Sequence, residues 1–333
     1  MATYNGATYI QEQLDSIARQ IFLPYELVVC DDNSTDNTVE IIRTFANTAY
    51  FPIYIYQNEK NIGFANNFLK CVNLCKGNWV AFSDQDDIWL PEKLLKVSNT
   101  INNIQSDELC LVCHSADLVT ENLTPIGRRL PDFKYNQVKR RNSHYGFLCI
   151  AGFATIFKAE LLSQIDSGLR PHDYNPDEKC LSHDKWIAML ANTCGKIAYI
   201  SESLVLYRRH SLACSGMHDK QSVIDRITRI SLMGINYYKF QSDVAKESAD
   251  SFRKISTLVC DKKKKGYLLV GAKKFDMLAK IYEFRTKLYE SKKTYSKLKY
   301  FFLILLKRGY WGSHFYSLGI FSFLKDFKFI IHL

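Results

Sequence analysis

From Tyr25 to Asp31 the chain reads YELVVCD, a short apolar run ending in acids, followed by NSTDNT and the amphipathic VEIIRTFA. That order predicts strand, loop and helix, because a short continuous apolar run suits a buried strand and 3.6-residue spacing suits a helix. The unit recurs. Pro52 to Gln57 reads as a strand and Gly63 to Cys75 as a helix, then Trp79 to Ser83 as a strand and Pro91 to Ile104 as a helix, with Pro91 suited to a first helical turn. Such alternation predicts an α/β fold with a mostly parallel, Rossmann-like sheet flanked by helices, whose ligand sites lie off the carboxyl ends of the strands. Every acidic cluster in this stretch falls at such an end.

The opening departs from the pattern: helix-like YIQEQLDSIARQ follows Thr3 to Gly6 with about four residues of strand before it. A truncated opening strand is expected, either a genuine stub or one begun upstream. Beyond Glu108 the chain is strand-like (LCLVCHSADLV), irregular and basic through Arg128 to His144, and apolar at Cys149 to Phe157. Residues 182 to 194 read as a helix and Ser203 to Arg208 as a closing strand. After Gly216 come long helical patterns rich in Lys, Tyr and Phe, so residues 1–216 and 217–333 are expected to form two regions. The second is expected to be mainly helical.

Charge sharpens that division. Residues 1–216 hold 20 Lys and Arg against 24 Asp and Glu, and residues 217–333 hold 24 against 10. The acids of the first region suit a metal and a polar ligand; the basic, aromatic second region suits phosphates, an anionic membrane surface or nucleic acid. No nucleic-acid reader motif accompanies the lysines, so no nucleic-acid partner is expected. The longest strongly apolar run, Tyr300 to Leu306, is far short of the roughly 20 residues of a bilayer span, which leaves a helix lying in the membrane interface, a helical cap or a homodimer contact. MATYNGATYI has no signal-peptide pattern, and ten irregularly spaced cysteines read as reduced thiols, so a cytoplasmic protein is expected. Hydrophobic residues at 47 % and charged residues at 23 % exclude a disordered or fibrous chain.

The strongest candidate chemistry is Ser83-Asp84-Gln85-Asp86-Asp87. Three carboxylates in four positions repel one another unless a cation sits among them, and hard oxygen ligands suit Mg²⁺ or Mn²⁺. A solvated turn with a capping Asp before the Pro91 helix is the plain alternative. Asp31 to Asp36 is a second cluster, able to accept hydrogen bonds from a base or ribose, with Ser34 and Thr35 as helix caps. Cys110 with Cys113, and Cys71 with Cys75, are expected in cores. His114, His144 and His172 read as ordinary polar contacts, and His183 as orienting the helix that carries Asp184. Trp89 and Trp186 could stack on a sugar or pack inside.

Together, Thr3-Tyr4-Asn5-Gly6, Asp31 to Asp36, Asn61-Ile62-Gly63-Phe64-Ala65 with Asn66-Asn67, Ser83 to Trp89 (SDQDDIW), His183-Asp184-Lys185-Trp186 and Tyr207-Arg208-Arg209-His210 resemble glycosyltransferase family 2 of GT-A fold. The likeness runs in family order over about residues 1–216. The SDQDDIW and HDKW forms look most like bacterial O-antigen or capsular polysaccharide enzymes, rhamnosyltransferases among them. The resemblance implies that Thr3, Tyr4, Asn5, Asp31, Asp32, Asn61, Gly63, Asp84 and Arg208 bind the nucleotide donor. It implies that Asp86 and His210 hold Mn²⁺ or Mg²⁺ with Asp84 and Asp87 supporting, and that Asp184 is the general base of an inverting transfer. Arg209 is an alternative to Arg208. The implied partners are a nucleotide sugar (UDP-hexose or dTDP-rhamnose), a lipid-diphosphate-linked saccharide and the inner membrane face. Two departures, the short opening strand and Ala213 where relatives often carry Asn, leave a catalytically impaired homologue as one alternative. A sugar-nucleotide nucleotidyltransferase is another, but TYNGATYI lacks its Gly-rich phosphate loop.

Overall fold

The expected strand–helix units of the first half all form. The structure, a computed structural model, describes residues 1–162, 165, 167–210 and 232–331; Ala213 and the 216/217 junction lie outside these. Strand β1 is only Ala2–Thr3. It is followed by α1 (Ile10–Ala18), whose Ile10, Leu14 and Ile17 recur on one buried face. Then come β2 (Leu27–Asp31), buried along its whole length, α2 (Thr38–Ala46), β3 (Ile53–Gln57) and α3 (Phe64–Leu74). The order β1-β2-β3 makes a three-stranded parallel sheet. β1 covers only the last two residues of β2, with Ala2 beside Cys30 and Thr3 beside Asp31.

A second sheet follows from β4 (Trp79–Ala81), β5 (Ile88–Trp89), α4 (Lys93–Ile104), β6 (Leu109–Thr120), β7 (Pro125–Arg129), β8 (Gln137–Lys139), β9 (Thr155–Lys158), α5 (His183–Cys194) and β10 (Lys196–Arg209). Its order is β4-β9-β6-β10-β5, with β7 on β6 and β8 on β10. The long central pair β6–β10 is parallel, as are the strands of the first sheet, and the flanking strands add antiparallel. The stretch read as irregular supplies β7 and β8. β10 starts at Lys196 rather than Ser203 because register shifts at Ile200/Ser203 and Ser203/Leu206 interrupt the side-chain alternation that marks a strand.

The α1 face packs with Val29, Ile42, Phe45, Trp89, Phe153 and Tyr207 in one core, and the Phe153 and Tyr207 rings stack at 4.1 Å. Beside β2 and β4 lies an apolar cavity of about 530 Å³ whose lining includes Met1, Val28, Trp79, Val80, Val97 and Ile156. The Met1 ammonium is buried there and donates to the Val28 carbonyl at 2.7 Å. Cys110 and Cys113 are buried in β6, and Trp89 and Trp186 are buried too, so their rings pack inside rather than face a ligand.

The chain divides into two compact units: Met1–Arg140, Cys149–Ser163 and Ser182–Ser215 form one, and Arg141–Leu148, Gln164–Leu181 and Gly216–Leu333 the other. The second contains α6 (Ile235–Leu258), α7 (Lys262–Glu290), α8 (Thr294–Leu306) and α9 (Ile320–Ile331). α6 and α7 run antiparallel, joined by Ser242 Oγ to Ala279 O at 3.0 Å at one level and the Arg253–Asp276 ion pair at another. The 141–148 and 164–181 segments join this unit through Gly146 N to Phe315 O at 2.8 Å, stacking of Phe147 on Tyr174 at 5.0 Å, and the His172–Glu247 pair. A buried Arg285–Asp326 ion pair at 2.7 Å, with Tyr289 and Tyr310 hydroxyls donating to the same carboxylate, ties α9 to α7. Among the described residues no helix is long and apolar enough to cross a membrane.

Candidate active site

The carboxyl ends of β1 and β2 carry the first group of expected residues. Thr3 Oγ1 donates to Asp31 at 2.9 Å, and Ser34 N donates to the same carboxylate at 2.8 Å. Asp32 accepts from Asn58 Nδ2 at 2.7 Å, Ile62 N at 2.8 Å and Gly63 N at 2.9 Å, so it folds the Asn61-Ile62-Gly63 loop about itself. Asn5 Oδ1 accepts from Thr35 N at 2.8 Å. The residues expected at the donor site are therefore together. Asp31 and Asp32 are buried and take protein donors, so they frame the loops around them, whereas Tyr4 and Asn61 are exposed.

Gln85, which sequence reasoning passed over, links this frame to the second cluster. Its amide accepts from Tyr4 N at 2.9 Å and donates to Tyr4 O at 3.0 Å. Gly6 makes that approach possible, since a Cβ there would sit 2.3 Å from Gln85 Oε1. The Thr3–Gly6 segment is thus held less by a strand ladder than by side chains.

The Ser83–Asp87 loop follows β4 and gathers carboxylates in low-polarity surroundings. Burial first, then the neighbouring Asp86 and Asp184 carboxylates, push the Asp84 carboxyl up to about 7. Asp87 is fully buried and lies well above the usual carboxylate range, through burial and then Asp86 and Asp84. One Asp87 oxygen accepts from Arg208 N at 3.1 Å; the other is buried without a hydrogen-bond partner. Beneath them lies Lys93, also missed. It is completely buried over the Trp89 ring at 3.8 Å, its Nζ donates to Phe153 O at 2.9 Å, and burial pulls it down to about 7 against the opposing pull of Asp87 and Asp84. The signal was its place on the buried face of α4, one helical turn before Val97.

β10 delivers Arg208 and His210 to this loop. His210 Nε2 and Asp86 Oδ2 are 2.8 Å apart, and the imidazole leans on Tyr9 at 4.6 Å between ring centroids. Arg208 is 3 % exposed, and its guanidinium donates to Asp86 O at 2.8 Å, to Glu121 O at 2.5 Å and to the Glu12 carboxylate. A guanidinium so engaged clamps the loop to α1. Glu12 and Glu121 were not foreseen, because their partners are distant in sequence.

Asp184 stands in the first turn of α5, where its carboxylate accepts from Lys185 N at 2.8 Å and Ser182 Oγ at 2.5 Å. His183 packs its ring on Phe68 at 4.0 Å and against Phe82 at 4.7 Å, fixing the start of α5. Gly152 allows this, since a Cβ there would lie 3.0 Å from His183 Nε2. Asp184 and Asp84 are near enough for one charge to act on the other.

Among the described residues no three His, Cys, Asp or Glu side chains form a ready metal cage. The Asp86–His210 pair still fits an open octahedral site: bonds of about 2.1 Å at right angles place neighbouring ligand atoms about 3 Å apart, and the pair is 2.8 Å apart. A divalent cation would also relieve the mutual repulsion of Asp84, Asp86 and Asp87.

A parallel nucleotide-type sheet joined to a mixed sheet, with acids converging at the strand ends, defines the GT-A class of glycosyltransferase fold. The family model described as glycosyl transferase family 2 matches residues 1–165. The dTDP-rhamnosyl transferase RfbG of Shigella flexneri is 32 % identical over 220 residues, 63 % of this chain and 71 % of that protein. The UDP-Glc:alpha-D-GlcNAc-diphosphoundecaprenol beta-1,3-glucosyltransferase WfgD of Escherichia coli is 33 % identical over 104 residues, 31 % of this chain and 40 % of that protein. Among solved structures, S. aureus TarS 1-349 in complex with UDP-GlcNAc superposes with a TM-score of 0.52 at 19 % identity, covering 90 % of this chain and 86 % of that one, which bears on the fold. The chain belongs to glycosyltransferase family 2, whose enzymes transfer hexosyl groups.

Proposed function

We propose that the chain is an inverting, divalent-metal-dependent hexosyltransferase. It moves a sugar from a UDP-hexose or dTDP-rhamnose donor to a lipid-diphosphate-linked saccharide, in building an O-antigen or capsule at the inner membrane face. The observation that carries this reading is the meeting of carboxylates after β4 and at the start of α5, where Asp86 and Asp184 are both close enough to raise Asp84. The names of RfbG and WfgD support the donor and acceptor classes.

In this reading the frame built on Asp31 and Asp32 receives the nucleoside, with exposed Tyr4 and Asn61 at its mouth. Asp86 and His210 would hold Mn²⁺ or Mg²⁺, Asp84 and Asp87 supporting, and the cation would neutralise charge developing on the leaving diphosphate. Asp184 takes the proton from the attacking acceptor hydroxyl as that oxygen bonds to the anomeric carbon on the face opposite the departing diphosphate. Lys185 N and Ser182 Oγ keep the base oriented. Residues 1–216 make the transferase region, and residues 217–333 associate with the membrane.

The test is turnover of a UDP- and dTDP-sugar panel on a synthetic lipid-diphosphate saccharide, with and without excess chelator, and NMR of the new anomeric bond. Metal-dependent transfer with inverted configuration is expected. Full activity in chelator would remove the metal role, and retained configuration would remove Asp184 as base.

A further inference from the structure

The outer surface of α8 and α9 is unusual in what it lacks. From residue 291 to 331 the sole acid is Asp326, and it is fully buried against Arg285. Besides the neutral Tyr295 and His314, the ionisable side chains this segment exposes are cationic: Lys292, Lys293, Lys299, Lys307, Arg308 and Lys328. On α8, Tyr295, Leu298, Phe302 and Leu306 recur at three- and four-residue spacing as an exposed apolar stripe. On α9, Ile320, Leu324, Phe327 and Ile331 do the same.

The two stripes border one aromatic cluster. The buried Phe301 touches Phe302 at 6.2 Å and Phe327 at 6.2 Å, Phe327 stacks on Phe323 at 5.9 Å, and Phe323 meets Trp311 at 5.0 Å between centroids. Phe302 and Trp311, at the two ends of this ladder, are 56 % and 53 % exposed. Exposed apolar stripes gathered about one cluster mark an interaction site. The occupant follows from charge. A second copy placed face to face would set cations on cations, which opposes an isologous dimer. An anionic lipid leaflet accepts both the rings and the cations. Helices of 13 and 12 residues are about 20 Å long, too short to cross and suited to lie flat.

We propose that the α8–α9 face seats this unit on an anionic membrane surface. Trp311, Phe302, Leu306 and Leu324 enter the acyl boundary, and the six cations pair with lipid phosphates. This deepens the membrane reading made above by naming the surface, which leaves the Lys262–Lys265 run out of the contact.

The test compares the full chain with two variants built on exposed side chains. One is Phe302→Ser with Leu306→Ser and Leu324→Ser; the other is Lys292→Gln, Lys293→Gln, Lys307→Gln and Arg308→Gln. Cosedimentation is measured with vesicles of phosphatidylglycerol and phosphatidylcholine, and with phosphatidylcholine alone. Each cation near an anionic leaflet is worth about fivefold in partitioning, so the charge variant should lose at least about tenfold at low salt. The apolar variant should lose at least about tenfold at low and high salt alike, because burial of rings is not screened. Both should turn over donor on a water-soluble acceptor like the parent. Unchanged vesicle binding by either variant would overturn the proposal. So would a dimer, seen by light scattering, that the apolar substitutions dissolve while vesicle binding persists. The vesicle measurement reads no chemistry, so failure of the transferase reading shows in the turnover assay and failure of this surface in the sedimentation.

Discussion

The two acidic loops of the catalytic unit look alike as sequence and behave differently as structure. Around Asp31 and Asp32, hydrogen-bond donors reach the carboxylates from Thr3, Ser34, Asn58, Ile62 and Gly63. Around Asp84, Asp86 and Asp87, carboxylates face carboxylates, two of them are raised, and one buried oxygen has no partner. The first loop has spent its acids on shape. The second keeps them under tension that a cation or a proton can relieve. Counting acids at strand ends does not tell these apart; counting the donors that reach them does.

The sharpest way to test the contrast is Asp184→Asn, which removes the base that Asp84 feels. Transfer should fall by roughly 10² to 10⁴ with donor affinity kept within a few fold, by single-turnover kinetics and calorimetry with the nucleotide. A comparable loss of affinity would make Asp184 a donor ligand. Next comes Asp86→Ala, expected to lower metal-stimulated turnover by about 10² or more, on the scale of one lost electrostatic stabiliser, and to abolish the Mn²⁺-dependent rise in melting temperature. If that rise persists, the ion is held elsewhere.

Asp32→Asn probes the other loop. It turns an acceptor into a donor against backbone N–H groups, so it should cost about 2 to 3 kcal/mol in urea unfolding and raise the donor KM, with the dependence on Mn²⁺ concentration unaltered. A shifted metal dependence would break the division of labour. The smallest effect is on pH. Burial and the neighbouring carboxylates push the Asp84 carboxyl from the ordinary value of about 3.9 up to about 7 in the fold, so between those values the folded chain holds a proton that the unfolded chain has released. Stability of the metal-free protein should then fall by a few degrees in melting temperature as pH rises from about 4 to about 7.5, and Mn²⁺ should flatten the slope. A flat metal-free profile would mean that Asp84 is not strained.

The strand–helix repeat and the acids at its strand ends were legible because a buried parallel strand writes itself as an apolar run, and its loop side as polar residues. Asp86 lies in one of those acidic loops, whereas His210 and Asp184 were named only through the family resemblance of YRRH and HDKW. What was illegible depends on approach through space. Gln85 reaches Tyr4 across 81 positions and Arg208 reaches Glu12 across 196, and no local pattern encodes either meeting. β10 was shortened in the reading because its bulges scramble the alternation, and the burial of Arg208 was hidden because burial is not a property of its neighbours in sequence.

The brevity of β1 has a mechanical consequence. In most sheets a ligand loop inherits rigidity from a strand paired on both sides over several residues, and it unfolds only when the sheet does. Here the Thr3–Gly6 segment is fastened by two ladder residues, by Gln85, and by the Asn5, Ser34 and Thr38 contacts. Such a segment opens as a local unit at lower free energy than the rest of the fold. Amide protons of residues 2–6 should exchange early in the free protein, and nucleotide binding should slow them far more than it slows the β6–β10 pair, so that the donor itself completes the fastening.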